Sequence, residues 1–175
     1  MTAAQIISQS ITGQFNKEIV LGDRTFKIYQ PTINELCLIF GNDNQTLTES
    51  QKRIELMAQM GDLDGCVETM ANIVSFRDGY RDKTAKYIKH NATLQQIAEG
   101  FRAFNDIVNA KDLLDVVQRD EVRQTDPAAF VGGKSLYGII TSFMENLHLT
   151  YKEVTEDIPY PVLIMMNVDK LRVLS

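Results

Sequence analysis

The chain has 175 residues, enough for one domain or a domain with an appended module and for a substantial buried core. Its 44% hydrophobic and 23% charged residues are a globular composition rather than a disordered one, and two cysteines are too few for a disulfide framework. With 18 basic against 23 acidic residues the net charge is −5, and no long basic run occurs, which argues against nucleic acid and anionic membranes as partners. The opening MTAAQIISQSITGQF lacks the positive flank and long apolar core of a signal peptide, so a cytoplasmic location is expected.

In chain order, residues 1–14 are rich in Ser, Thr and Gln with three isoleucines, and read as a loose N-terminal arm or a short fraying helix. The stretch EIVLGDRTFKIYQP alternates on either side of Gly22-Asp23, with Ile19 and Leu21 before it and Phe26 and Ile28 after it; this predicts a β-hairpin. Pro31 ends the second strand because it cannot donate to a sheet ladder. Thr32 with Glu35 has the spacing of a capping box, and Ile33, Leu36, Ile39 and Phe40 follow at helical intervals until Gly41-Asn42. A further helix is expected from Thr48, carrying Ile54, Met57 and Met60, and another from near Asp64, carrying Val67, Met70, Ala71 and Val74.

The clearest periodic stretch starts at Thr93, three residues before Gln96, and carries Leu94, Ile97, Phe101, Phe104 and Val108. Leu114 and Val117 extend the stripe, so a continuous rod over 93–118 is expected, roughly 39 Å long at about 1.5 Å per residue. Gly100 within it marks a close crossing. Between 119 and 134 the periodicity collapses around Asp126-Pro127 and Gly132-Gly133, which predicts a linker. Beyond it, Leu136, Ile139, Ile140 and Phe143 share a helix face, Thr150 with Glu153 opens a short helix, and Tyr160-Pro161 starts a final one. The expected fold is therefore α+β and predominantly α-helical: an N-terminal β-hairpin, a helical bundle and a C-terminal helical segment. The expected division is an arm at 1–14, a body at 15–118, a linker at 119–134 and a module at 135–175.

Convergent chemistry is sparse. Neither His90 nor His148 has a second His or Cys at i, i+4, and Glu145 with His148 is a single copy of a Glu-x-x-His pattern that di-metal bundles need twice. Gly133-Lys134-Ser135 resembles the end of a phosphate-binding loop, but the position five before Gly133 is Ala128 and no apolar strand precedes it. Asp62, Asp64 and Gly65 suggest a calcium loop only until its first and twelfth places are read as Met60 and Ala71; a turn capped by Asp explains them better. Cys37 and Cys66 have no CxxC spacing and no basic neighbour, and Asp115 and Asp120 read as solvated charges. No residue set carries an enzyme reading, and no cofactor or metal is expected.

The segment SLYGIITSFMENLHLTYKEVTEDIPYPVLIMMNVDKLRV resembles the C-terminal part of tail assembly chaperones from long-tailed bacteriophages and prophages. In that family a helix is followed by a short helix of the T-Y-x-E-V type, a proline-bearing turn, and a hydrophobic helix that ends in an Asp/Lys/Arg cluster. The front, RTFKIYQPTINELCLIF, is similar to the start of several such proteins. The resemblance implies a non-enzymatic chaperone in the host cytoplasm that binds the long, helical tape measure protein and keeps it soluble before tail tube assembly. The tail tube protein is a further candidate partner.

On a helical wheel, Val162 to Val168 are apolar nearly all round. One face can pack on Ile139, Ile140 and Phe143, and the remainder needs another cover. Adjacent methionines adapt to irregular partners, so Tyr160, Val162, Leu163, Met165 and Met166 are the candidate partner-binding residues. Two readings stay open: a client surface, or an element sealed in its own domain. The alternative function is a helical adaptor or structural subunit that forms a homo-oligomer through the rod at 93–118, with Phe101 and Phe104 at the contact.

Overall fold

In the computed structural model, which describes residues 1–40, 60–117 and 135–174, the alternating stretch forms strands β1 (Asn16–Leu21) and β2 (Arg24–Tyr29). They pair antiparallel with Ile19 opposite Phe26 and Leu21 opposite Arg24, which leaves Gly22-Asp23 as a two-residue loop. Gly22 has φ +68° at the first loop position, where a II′ turn favours glycine. One face of the ribbon turns Ile19, Leu21 and Ile28 into the core, and Glu18, Val20 and Lys27 stay in solvent.

The fold is α+β and mostly helical, as expected. Before the hairpin lies α1 (Ala3–Ile11). After it come α2 (Ile33–Phe40), α3 (Leu63–Ser75), α4 (Arg81–Asn91), α5 (Leu94–Val108), α6 (Lys111–Val117), α7 (Leu136–Leu147) and α8 (Tyr160–Leu174). A short, wide π-helical turn at Glu153–Asp157 separates the last two. The expected helix from Thr48 and the linker at 119–134 fall outside the described residues.

Of the two readings of residues 1–14, the short helix is the one found, because Thr2 and Gln5 close a reciprocal capping box: the Gln5 N–H donates to Thr2 Oγ1 at 3.3 Å and the Thr2 N–H to Gln5 Oε1 at 2.8 Å. One expectation is corrected. The rod at 93–118 is two helices, because Ala110 takes φ +57°, a left-handed conformation that a right-handed helix cannot continue. The Ala110 N–H bonds back to the Ile107 carbonyl at 3.1 Å, and a new helix starts where the Leu114 N–H reaches the Ala110 carbonyl at 2.8 Å. Helix α4 was not anticipated; of its residues only Thr84, Ala85 and Ile88 are buried, too few to stand out as a stripe.

The chain divides into two compact units. One comprises residues 16–29 and 35–105; the other comprises 1–15, 30–34 and the described residues from 106 onward. The sequence reading places its boundary at the linker, with an arm at 1–14, a body at 15–118 and a module at 135–175.

In the first of these units, Met70 and Ile73 of α3 and Phe104 of α5 are fully buried. The start of α3 is capped by Asp62, whose carboxylate accepts from the Gly65 N–H at 2.9 Å. Thr93 and Gln96 form the capping box predicted for α5, and the Gln96 amide also bridges the hairpin loop. It accepts from the Gly22 N–H at 2.9 Å and donates to the Gly22 carbonyl at 3.1 Å. At Gly100 the crossing is close: a Cβ there would lie 2.7 Å from Met70 Cε and 3.1 Å from Ile19 Cδ1.

In the second unit, Ser135 caps α7 and His148 ends it at φ +55°. Thr150 and Glu153 make the third capping box: the Glu153 carboxylate accepts from the Thr150 N–H at 2.8 Å and from its hydroxyl at 2.7 Å. These bonds to the backbone and then the hydroxyl hold the Glu153 carboxyl below its ordinary value of 4.5. A group whose folded value is depressed contributes stability above its unfolded value, and that contribution is lost as pH falls through the folded one. In a carbon-detected NMR titration the Glu153 midpoint is expected below 4.5, and Thr150→Ala is expected to raise it toward 4.5. An unmoved midpoint would show that the hydroxyl bond plays no part in setting it.

Candidate functional site

Helix α8 carries two stripes at i, i+3, i+4, i+7 spacing. Tyr160, Leu163, Ile164 and Asn167 form one, and all four are buried. Val162, Met165, Met166 and Asp169 form the other, about 180° away at about 100° per residue. The first stripe faces α7: the Tyr160 ring meets Phe143 edge to face at 6.1 Å, and Asn146 donates to the Asn167 amide oxygen at 3.3 Å. The Tyr160 N–H also donates to the Pro31 carbonyl at 2.8 Å, which fixes the start of the helix.

The second stripe forms one wall of an apolar groove of about 480 Å³ that is open to solvent. Helix α1 gives the facing wall through Ile7, Ser10 and Ile11, three positions that share a helix face. Leu113 of α6 lies between them, and Asp157, Ile158 and Pro159 close one end. Every element of this groove belongs to the same unit. Ser10 is buried and its hydroxyl accepts from Gln30 Nε2 at 3.2 Å, so its polarity is already satisfied on the inner side. Ile7 and Ile11 remain 42% and 68% exposed, and Met166 37%.

The five candidates from α8 therefore separate. Met166 stands open in the groove, Val162 lines it half-buried, and Met165 lines it while only 9% exposed. Tyr160 and Leu163 are core residues, 4% and 0% exposed. Phe101 and Phe104 are 8% and 0% exposed, turned into the core of the other unit; their rings offer no contact to a second copy. Sequence reasoning missed Ile7, Ile11 and Leu113. The signal for the first two was present, since Thr2 and Gln5 repeat the capping spacing read at three other places.

Among the described residues, the ionisable groups in the groove lining are the carboxylates of Asp157 and Asp169. Asp157 faces Lys152 at 3.8 Å, half exposed, and Asp169 has no ion partner among the described residues. In a smaller hollow of about 180 Å³ in the other unit, between Arg24, Tyr80, Lys83 and Tyr87, the Arg24 charge is already engaged. The Arg24 guanidinium lies 4.2 Å over the Tyr87 ring, and the Tyr87 hydroxyl donates to Asp23 and holds that carboxyl below its ordinary range. Burial pushes the thiols of Cys37 and Cys66 up, with the Asp62 carboxylate adding to this at Cys66, which leaves both poor nucleophiles. Among the described residues no group of three or more His, Cys, Asp or Glu could hold a metal ion, and no helix is long and apolar enough to cross a membrane. No family model matches the chain, and neither a curated protein nor a solved structure matches it.

Proposed function

We propose that this protein is a non-enzymatic assembly chaperone of the kind found in long-tailed bacteriophages, acting in the host cytoplasm. It holds amphipathic helices of the tape measure protein in the groove between α1 and α8 and keeps that protein soluble before the tail tube forms. The observation that supports this reading is the open stripe on α8. A helix buried on one face by Leu163 and Ile164 keeps a second apolar face, Val162, Met165 and Met166, opposite a partly exposed isoleucine pair on α1. Helix-in-groove recognition needs such a trough, and methionine adapts to clients of irregular shape. Binding of this kind is reversible and needs neither cofactor nor turnover. The segment that resembles the phage chaperones contributes the α8 wall.

The test is co-expression with a tape measure protein, reading the soluble fraction of the client. The wild type is expected to raise it. Met166→Asp is expected to abolish the effect and weaken client binding about tenfold or more, because a carboxylate must be desolvated against apolar side chains, while circular dichroism stays unchanged. A folded Met166→Asp variant that solubilises the client as well as the wild type would remove the groove as the client site.

A further inference from the structure

We propose that the groove selects a cationic amphipathic helix: an apolar stripe with Lys or Arg about three turns apart, placed to meet Asp157 at one end and Asp169 at the other. This rests on the reading that the groove takes an amphipathic helix. The argument is charge complementarity. Along α8 the floor is Val162, Met165 and Met166, and among the described residues the ionisable groups lining it are two carboxylates, Asp157 in the turn before α8 and Asp169 three residues beyond Met166. From Tyr160 to Asp169 the helix advances about 14 Å at about 1.5 Å per residue, and Asp157 lies in the turn before it, so basic residues about 11 positions apart on one face of a client helix, about 16 Å, span slightly more than that length. Asp169, exposed and with no ion partner among the described residues, is the stronger anchor; Asp157 already shares its charge with Lys152 at 3.8 Å. The net charge of −5 adds a field of the same sign, which draws in cationic segments and repels acidic ones, a second copy of this chain included. The apolar floor supplies affinity and the two carboxylates set which helices are accepted and in what register.

The experiment uses the full chain and three fluorescently labelled synthetic helices of one apolar stripe, with lysine, glutamine or glutamate at both flanking positions. The lysine helix is expected to bind on the order of tenfold tighter than the glutamate helix. That preference should fall as ionic strength rises past about 0.15 M. It should vanish in the isosteric Asp157→Asn, Asp169→Asn double variant, which is expected to bind the lysine and glutamate helices alike. Equal binding of all three helices by the wild type would overturn the charge selection and leave the groove reading standing. Failure of every helix to bind would overturn both. Lysine-helix binding that survives Met166→Asp undiminished would trace the attraction to diffuse negative charge and would also overturn the proposal.

Discussion

Phe104→Ala is expected to lower stability by about 3–5 kcal/mol, read as a fall in the urea midpoint at unchanged slope. The ring has no exposed area and lies 5.9 Å from the Phe40 ring at a tilt of 56°, so its removal leaves a void that helices on both sides must hold open. The alternative function put this ring on a dimer surface, and the two placements differ sharply in what a charge does there. On a surface, Phe104→Lys would turn a dimer into a folded monomer. In the core, it strands an ammonium group without a partner and unfolds the unit. A loss below about 1 kcal/mol for Phe104→Ala, or a well-folded Phe104→Lys, would return the residue to the surface.

Gly22→Ala is expected to cost on the order of 2–4 kcal/mol, and Gly13→Ala only about 1–2 kcal/mol. Both glycines have φ +68°, so both substitutions carry the strain of a left-handed residue with a Cβ. They differ in surroundings. Nothing lies within 4 Å of a Cβ at Gly13, whereas at Gly22 it would meet the Tyr87 hydroxyl at 2.7 Å and Asn91 Cβ at 2.9 Å. The Gln96 bridge to the Gly22 backbone is disturbed by the same displacement. Thermal or urea unfolding of the two variants in parallel separates backbone strain from crowding. Equal losses would mean that α4 does not press on the loop.

How much of this was legible in the sequence follows the range of the forces involved. Local signals were read correctly: the Gly22-Asp23 hairpin, the capping boxes at Thr93 and Thr150, the Asp62 cap and the proline start of α8 all depend on residues within four positions of one another. The break at Ala110 left no trace, since alanine is the strongest helix former and gives no warning of a left-handed conformation. Helix α4 was overlooked for the opposite reason: it is almost wholly polar, so its pattern contains little to detect. For the groove, the wheel showed correctly that α8 has more apolar surface than α7 covers. It could not say which half of that surface α7 takes, because that depends on the Tyr160 ring meeting Phe143 and on Asn146 reaching Asn167. The facing wall, some 150 positions earlier in the chain, has no expression in local periodicity at all.

That separation along the chain has a consequence for the order of events during synthesis. Ile7 and Ile11 leave the ribosome before Leu113, and Leu113 before Val162 to Asp169, so no groove exists until α8 has been made. Until α8 arrives, the isoleucine face of α1 has no opposite wall, and α6, seven residues long, is too short to hold its helical form unaided. Joining segments so far apart also carries a closure entropy that only the packed unit repays, which makes the groove a late product of folding. Under the proposed function, a nascent copy would offer a client no binding site, and capture would begin only after α8 has packed into its unit.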